Sequence, residues 1–420
     1  MKLSPIIAAL RKHKAGVFLI GLQIALTLAI VCNVIYIVAL RVQRIDRPTG
    51  LQEKDLFLIA QSYVNPPTGT GTVALEKLDS MQLTDLAALR SAPDIQDATP
   101  VNSLPALRGG STVNVSLKPA QLHGLTQASV FNGDAQMLPT LGLKLVAGRD
   151  FTRADVQRRA PGSNTGGPIV IVTRALADKL YPRGDAVGKP LYINENTAPS
   201  TIVGVVARML GYYPDAPNAF VWNGVLIPAR TDGASTMYAV RAKPGRMREA
   251  IREARDALFR VDPMRIIPAG SRYDMDGVHT FAQIRAWGFA LDIFMVKVLT
   301  VICVILLLIT GVGMAGLTSF WVTQRYKQIG IRRALGATRA NILHYFQIEN
   351  LFIAGMGCTA GIVLAIGINL ALMSVFAMHR MPVGYVLIGI VVILLLGQLA
   401  VFAPARRASN VPPVVATRSV

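Results

Sequence analysis

A compact basic segment lies between residues 325 and 339, and it stands between two long apolar runs. It contains Arg325, Lys327, Arg332 and Arg333, and the first acidic residue that follows is Glu349. A basic loop next to membrane spans is retained on the cytoplasmic side. The segment therefore predicts a cytoplasmic contact surface. The alternative is that these bases only fix the membrane topology.

The sequence offers no motif for chemistry on a nucleotide or a metal ion. It contains no G-x-x-x-x-G-K-[ST] phosphate loop, so we do not expect the chain alone to bind and hydrolyse ATP by that route. The five histidines show no metal-ligand spacing, and no H-E-x-x-H occurs. We therefore expect no catalytic residue, no metal and no cofactor in this chain.

Composition indicates an integral membrane protein, because 52% of the 420 residues are hydrophobic and only 16% are charged. The net charge of +19 does not predict nucleic-acid binding, since many bases flank apolar runs, where topology sorting explains them. Cys32, Cys303 and Cys358 all fall inside apolar runs. No disulfide framework is therefore expected in the polar middle of the chain.

Four apolar runs approach or exceed the roughly 20 residues that a bilayer core requires. Bases precede the first run and follow the last, which predicts that both termini are cytoplasmic and that the large middle region lies outside. The predicted organisation is a cytoplasmic amphipathic segment 1–14, a first span 15–40, an outer domain 41–280, a stalk helix with the second span 281–320, a cytoplasmic coupling loop 321–348, a third span 351–378, a fourth span 383–403 and a cytoplasmic tail 404–420.

The outer domain has the alternation and turn pattern of a mixed α/β fold. The fold class is thus a polytopic α-helical membrane protein, with four spans and a large α/β domain inserted between the first and second. The Pro/Gly-rich stretch 160–167 is expected to join two lobes or to form an exposed loop. Predicted strands cover residues 55–64, 168–173, 200–206 and 237–241, and predicted helices cover 84–90 and 246–260.

The second span begins well before the membrane, because residues 281–320 contain no proline and repeat apolar residues in steps of three and four. This spacing predicts one continuous stalk helix of about 60 Å. Asp292 and Lys297 are expected at or above the outer interface, since a charge at mid-bilayer costs roughly 2.5 to 3.5 kcal/mol. A buried proton or ion relay is the alternative. The predicted seam consists of Phe281, Ile284, Leu291, Met295, Val298 and Ile302.

Past the basic run, Ile342, Leu343 and Phe346 recur at helical spacing, which predicts a short amphipathic helix along the membrane surface.

The stretch from Lys327 to Ala337 resembles the R-E-I-G-I-R-R-A-L-G-A loop of type VII ABC transporter permeases. The tail around Pro404 and Arg407 is similar to the ending of that family. Gly148, Arg149, Asp150, Phe151 and Asp155 resemble its G-R-x-F…D segment.

The resemblance covers nearly the whole chain and implies a MacB-like outer domain with an FtsX-like membrane domain. It implies that two permease subunits sit on two ATP-binding subunits, which hold ATP and Mg²⁺ and move the outer domains. Gln328 and Val415 depart from the family, which often has glutamate at both positions. The implied ATPase-coupling residues are Arg325, Lys327, Gln328, Ile329, Gly330, Ile331, Arg332, Arg333, Leu335, Gly336 and Arg339. Ile329, Ile331 and Leu335 would supply apolar contact, and Arg332, Arg333 and Arg339 would meet acids or lipid headgroups.

The same resemblance implies a place in the bacterial inner membrane. The implied partners are a dimeric cytoplasmic ATPase, a second copy or a paralogous permease, membrane lipids and a candidate periplasmic adaptor. The expected function is export or extraction of an antimicrobial peptide, a macrolide-like compound or a lipoprotein. Two alternatives stay open: an ATP-driven signalling permease that controls a cell-wall hydrolase or peptide sensor, and a membrane anchor or receptor without an ATPase.

Overall fold

The computed structural model describes residues 14–67, 71–159, 166–215, 220–231, 233–268, 277–376 and 380–410. The chain divides into two compact units. The helical unit contains the residues up to Ile45 and those from Asp292 onward, and the α/β unit contains Asp46–Leu291.

The elements follow one another in the order helix, α/β region, helices. In chain order they are α1 (Lys14–Ile45), β1 (Leu56–Ser62), α2 (Thr72–Arg90), β2 (Ile95–Val101), β3 (Ser111–Ser116), β4 (Thr126–Gly133), α3 (Met137–Leu141), β5 (Leu145–Gly148), β6 (Gln157–Arg159), β7 (Ile169–Thr173), α4 (Arg174–Leu180), β8 (Pro190–Ile193), β9 (Ser200–Val206), β10 (Gly224–Thr231), β11 (Ser235–Ala242), α5 (Met247–Val261), β12 (Gly277–Thr280), α6 (Phe281–Gly288), α7 (Ala290–Gln324), α8 (Tyr326–Ala334), α9 (Arg339–Phe376) and α10 (Val383–Ser409).

Four helices of the described chain are long and apolar enough to cross a membrane: α1, α7, α9 and α10. Among these helices, α1 has the largest buried share. Glycines on α9 let the two helices approach closely. A Cβ atom on Gly357 of α9 would lie 2.7 Å from Ile24, and one on Gly361 would lie 2.9 Å from Leu28. Small residues spaced four apart allow such close contact between membrane helices. The hydroxyls of Thr27 and Thr310, 2.7 Å apart, link α1 to α7.

The α/β unit contains two sheets that share a buried core, in which Leu58 and Ala239 of the first sheet lie with Phe131 and Leu226 of the second. The first sheet has the strand order β12-β1-β11-β2, and helices α2 and α5 share a buried core with it. The second has the order β4-β3-β8-β9-β7-β10-β6, with β5 paired to β9. Its β4 also pairs in parallel with β10, so that six strands close into a ring around a valine-rich core. The strands and helices predicted in this region correspond to β1, β7, β9, β11, α2 and α5.

The predicted continuous stalk helix is interrupted at one residue. Helix α6 ends at Gly288, and Phe289 adopts φ −105° and ψ 10° before α7 begins. Phe281 and Ile284 are fully buried in the core of the α/β unit. A Cβ atom on Gly288 would lie 2.4 Å from the carbonyl oxygen of Ala106, which holds the end of α6 tightly against its own unit. These two residues are therefore core residues and not part of a seam.

Two further predictions need correction, and three others lie wholly or partly outside the described residues. Ile342, Leu343 and Phe346 belong to the first turns of the long helix α9 and not to a separate surface helix. Helix α10 continues through Pro404 to Ser409, because Ala405 and Ala408 are buried against α7 and α9. The structure does not describe residues 1–13 of the predicted amphipathic segment. It also leaves out residues 160–165 of the Pro/Gly-rich stretch and residues 411–420 of the predicted tail.

Candidate functional site

The basic segment forms a separate nine-residue helix, α8, between two membrane-type helices. Its end has a defined geometry at Gly336, whose φ of +96° lies in the left-handed region. The N–H of Gly336 donates to the carbonyl of Arg333, and that of Ala337 donates to the carbonyl of Arg332. This pair of bonds is the Schellman arrangement, in which glycine ends a helix without strain. The glycine of the sequence motif thus fixes where α8 stops.

The inner face of α8 packs on the other helices of the same unit. Ile329, with 4% of its surface exposed, lies in a core with Val322 of α7 and Phe346 of α9. The remaining buried members of this core are Ile342, Val401, Ala405 and Ala408. Burial of an aliphatic side chain of this size stabilises the packing by roughly 1.5 to 3 kcal/mol. Most of the Ile329 side chain therefore supports α8 by packing within the chain.

Two arginines that were predicted to contact a partner are used within the chain. Arg325 donates from Nη1 to both carboxylate oxygens of Glu349, at 2.9 and 3.0 Å. Glu349 is only 2% exposed, so this pair neutralises a buried charge. Arg333 donates to the backbone carbonyl of Ser409 at 3.1 Å, which connects α8 to the end of α10. Both side chains position the helix.

The outer face of α8 combines cationic and apolar side chains. Lys327, Gln328 and Arg332 are exposed. Ile331 and Leu335 expose 45% and 83% of their surfaces. The guanidinium of Arg332 lies 5.0 Å from the ring centroid of Tyr345, which orients it at the edge of α9. Arg339 is exposed at the start of α9. We call the set Lys327, Gln328, Ile331, Arg332 and Leu335 the docking face.

A recess of about 120 Å³ lies beside the docking face, between α8 and the start of α9. Gln328, Arg332 and Tyr345 contribute polar atoms to its wall, and Ile329 and Phe346 contribute apolar ones. Its volume suits one side chain and not a cofactor. The arrangement can therefore bind an acidic or apolar side chain from another protein, since it offers a guanidinium next to an apolar floor.

Sequence reasoning singled out the residues on the outer face of α8 but missed two of the contacts that hold this helix, those with Glu349 and with the carbonyl of Ser409. Glu349 is the first acid that follows the basic run, and this position was the available signal for an ion pair. The contact with Ser409 had no signal, because it is a backbone acceptor 76 residues away in sequence.

The remaining residues of the predicted seam lie on α7. Leu291, Val298 and Ile302 are exposed, and Met295 is half-buried. In the most apolar stretch of α7 only 6% is buried, whereas 56% of the corresponding stretch of α1 is buried. Much of the apolar surface of α7 therefore does not pack against other described residues.

The charges near the start of α7 form an ion pair. Asp292 is 1% exposed, and its Oδ1 lies 2.5 Å from Nη1 of Arg41 and 4.0 Å from Nη1 of Arg44. Lys297 is exposed. The two arginines at the end of α1 offset the charge of this buried carboxylate, whose Oδ2 has no hydrogen-bond partner within the described residues.

Two family descriptions cover most of the chain. Residues 24–258 match the MacB-like periplasmic core domain, and residues 300–413 match the FtsX-like permease C-terminal domain. The first match alone covers more than half of the 420 residues. The chain therefore belongs to the type VII ABC transporter permeases, with a MacB-like domain and, among its described residues, four helices of membrane-spanning length.

Several of the similar proteins are described as macrolide export ATP-binding/permease proteins. The MacB protein of Burkholderia cenocepacia (strain HI2424) is 26% identical over 363 residues, which cover 83% of this chain and 48% of that protein. MacB of Agrobacterium fabrum is 26% identical over 360 residues, covering 83% and 50%. This chain spans about half the length of these curated relatives. The periplasmic region of MacB from Actinobacillus actinomycetemcomitans shares 14% identity, covering 58% of this chain and 96% of that one, with a TM-score of 0.33, too low to bear on the fold.

Proposed function

We propose that this chain is the permease subunit of a MacB/FtsX-type ABC transporter, and that it couples ATP hydrolysis on a separate ATPase to movement of its α/β unit. In this proposal the chain itself performs no chemistry, and ATP and Mg²⁺ bind to the partner subunit. The chain lies in the bacterial inner membrane with both termini cytoplasmic and the α/β unit in the periplasm. The transported substrate is a peptide, a macrolide-like compound or a lipoprotein.

The docking face carries this proposal. A helix of nine residues is fixed by a buried ion pair, a buried isoleucine and a glycine cap, and yet it presents two exposed aliphatic side chains beside two cations. Exposed apolar residues of this kind indicate a protein contact when they form one patch. Rigid support is what transmission of movement requires, because a loosely held helix would absorb a displacement of the ATPase.

The departure at Gln328 is compatible with this role. Gln328 is exposed on the docking face and lines the recess, where its carboxamide can donate and accept hydrogen bonds. It cannot form the ion pair that glutamate would form. We therefore expect this chain to prefer an ATPase whose facing residue is polar and uncharged.

Co-purification from the native membrane tests the proposal. The full chain, extracted in mild detergent, is expected to retain a Walker-motif ATPase and ATP hydrolysis. Arg332→Glu reverses a charge on the docking face and is expected to lose most of the bound ATPase while membrane insertion is unchanged. Arg153→Glu reverses an exposed charge in the α/β unit and serves as the matched control. Equal retention of the ATPase by both variants would contradict the proposal.

Transport and signalling use the same docking face, so a second measurement separates them. Reconstituted complexes that move a labelled substrate across the vesicle membrane, or extract it, would support transport. ATP-dependent activation of an outer hydrolase or sensor, without such movement, would support regulation instead.

A further inference from the structure

The chain passes between its two units at two places. It leaves the helical unit after Ile45 and returns to it at Asp292. Within the α/β unit, the first connection consists of residues 46–55, which precede β1, and the second consists of residues 281–291, which include α6. A displacement of α1 or α7 that travels along the backbone therefore reaches the α/β unit through these two connections.

The side chain of Arg285 links the two connections within the α/β unit. Arg285 lies on α6 in the second connection, and its Nη1 donates to Oε1 of Glu53 in the first. Its Nη2 donates to the backbone carbonyl of Arg47 at 2.8 Å. The side chains of Arg285 and Glu53 are 24% and 34% exposed, so water reaches both only in part. A planar guanidinium holds two acceptors in one fixed geometry.

Both acceptors of Arg285 belong to a segment that has further bonds of its own. Oγ1 of the buried Thr49 donates to the same oxygen of Glu53 at 2.7 Å. The guanidinium of Arg47 donates to the carbonyl of Pro214 at 3.1 Å. The first connection therefore presents a carboxylate and a carbonyl to Arg285 at defined positions.

The second connection is fixed at the end of α6 by another arginine. Nε of Arg108 donates to the carbonyl of Gly288 at 3.0 Å, and its Nη2 donates to Asp215 at 3.2 Å. Phe281 and Ile284 hold the same helix through their burial in the core. Helix α6 is thus a rigid support from which Arg285 reaches the first connection.

An arginine–carboxylate link of the same kind is present in the helical unit. There the arginines belong to α1 and the carboxylate belongs to α7, since Oδ1 of Asp292 lies 2.5 Å from Nη1 of Arg41 and 4.0 Å from Nη1 of Arg44. Asp292 follows Arg285 by seven residues, and Arg47 follows Arg41 by six. The chain is therefore linked to itself shortly before and shortly after each passage.

We propose that Arg285 is a positioning residue for the transmission of movement, because it makes the two connections move as one body. Connections without a link would shift past one another and absorb part of a displacement of α7. Coupling over a distance is carried by rigid elements and by networks of hydrogen bonds and ion pairs. Only the last step, in which ATP hydrolysis supplies the movement, rests on the proposed function.

Pulsed electron paramagnetic resonance on the full chain in nanodiscs tests the link without any ATPase. In a variant without the three native cysteines, spin labels on the exposed positions Asp46→Cys and Ala282→Cys report the spacing of the two connections. Arg285→Met is expected to widen the distance distribution about twofold, because the first connection then loses its bonds to α6. An unchanged width would overturn the proposal.

A second ion pair of the α/β unit supplies the matched control. Arg230 donates to both carboxylate oxygens of Asp79, at 2.7 and 3.1 Å, and joins β10 to α2 without contact with either connection. Arg230→Met is expected to lower the melting temperature at least as much as Arg285→Met and to leave the distance distribution unchanged. Equal widening by both variants would show a general loosening of the fold and would also overturn the proposal.

A double variant tests whether Arg285 and Glu53 act through one contact. Glu53→Met is expected to widen the distribution in the same direction. Because both changes remove the same bond, the double variant is expected to be no wider than Arg285→Met alone. Additive widening would contradict a direct link between the two residues.

The role in transmission is tested in the complex with its ATPase. Spin labels on Leu122→Cys in the α/β unit and on Val304→Cys in α7, both exposed, are expected to change their separation when ATP binds. Arg285→Met is expected to lose at least half of this change at an unaltered rate of ATP hydrolysis, whereas Arg230→Met retains it. Full retention by Arg285→Met would overturn the positioning role. No change in the parent chain would count against the proposed function, and the ATPase-free measurement would still decide whether the link exists.

Discussion

At the scale of single residues, the segment Gly148 to Asp155 shows how a short motif acquires a structural role. Gly148 has a φ of +75°, and a Cβ atom there would lie 2.2 Å from the carbonyl oxygen of Val203, so only glycine fits. Arg149 donates to both carboxylate oxygens of Asp155, at 2.6 and 3.2 Å, and Phe151 is buried in the core. The Arg149 guanidinium holds the pKa of Asp155 well below its usual range.

This lowered pKa predicts a pH dependence for the Arg149→Met variant. Because the pKa of Asp155 is lower in the folded chain, the ion pair stabilises the fold fully above the unfolded pKa near 3.9, and this stabilisation is lost as the pH falls through the folded pKa. We expect Arg149→Met to lower the melting temperature by about 2 °C at pH 7 and by less at pH 3.

Differential scanning fluorimetry of the full chain in detergent measures this effect. Arg153→Met removes a neighbouring exposed cation and is expected to shift the melting temperature equally at both pH values. A deficit of the same size at pH 7 and pH 3 for Arg149→Met would show that the ion pair does not contribute.

The residues that α8 leaves exposed were only partly predictable at this scale. The sequence identified the basic segment and its glycine, because charge density and a motif are local properties. It could not separate Arg325 and Arg333, which are bound within the chain, from the exposed Arg332. That separation depends on Glu349 and Ser409, which tertiary packing brings to α8.

At the scale of elements, the break at Phe289 divides what the periodic pattern predicted as one helix. The three-four spacing continues without a phase change through Ile284, Gly288, Leu291 and Met295. The pattern specifies an apolar face, but it does not specify what covers that face. Residues before the break are buried in the α/β unit, and Leu291 after it is exposed. A break in a helix with unbroken periodicity cannot be read from spacing alone.

The break changes the expected effect of proline substitutions. Leu291 lies in the first turn of α7, where backbone N–H groups lack helical partners, so Leu291→Pro is expected to be tolerated comparatively well. Val298→Pro lies in the interior of α7 and is expected to cost about 3 kcal/mol or more. The yield of monodisperse protein and its melting temperature measure the difference, with Val298→Ala as the control for side-chain loss.

Equal damage from the two prolines would contradict the helix start at Ala290. It would indicate instead that α6 and α7 form one uninterrupted helix in solution.

At the scale of the whole molecule, the four long helices differ in how much of their surface is used. Helix α1 is largely covered by its neighbours, but α7 leaves Leu291, Val298, Ile302 and Val312 exposed. Lipid can cover such a surface, and so can a second copy of the chain. The four helices of membrane-spanning length in the described residues and the α/β region after the first of them agree with the sequence prediction, because length and apolarity are local. The ring of six strands was not predicted, since pairings such as that of β4 with β10 join distant segments.

Disulfide cross-linking tests whether a second copy covers α7. In a variant without the three native cysteines, Ile302→Cys on the seam is expected to form a cross-linked dimer under mild oxidation. Val304 is exposed to a similar extent as Ile302 but lies about 200° further around the helix. The Val304→Cys variant is therefore expected to remain monomeric. Cross-linking at Val304 in preference to Ile302 would place the contact on another face, and no cross-linking at either position would leave α7 facing lipid.

The central claim is that the exposed face of α8 docks a separate ATPase, and site-specific photo-crosslinking in native membranes tests it most directly. A benzophenone side chain at Leu335 or Ile331 is expected to form an adduct with a Walker-motif protein, because both side chains are exposed on the docking face. The same group at Leu122, an exposed position of the α/β unit, is the control. An ATPase adduct from both α8 positions and none from Leu122 is the predicted result. No ATPase adduct from either α8 position, in membranes where the ATPase is present, would contradict the account.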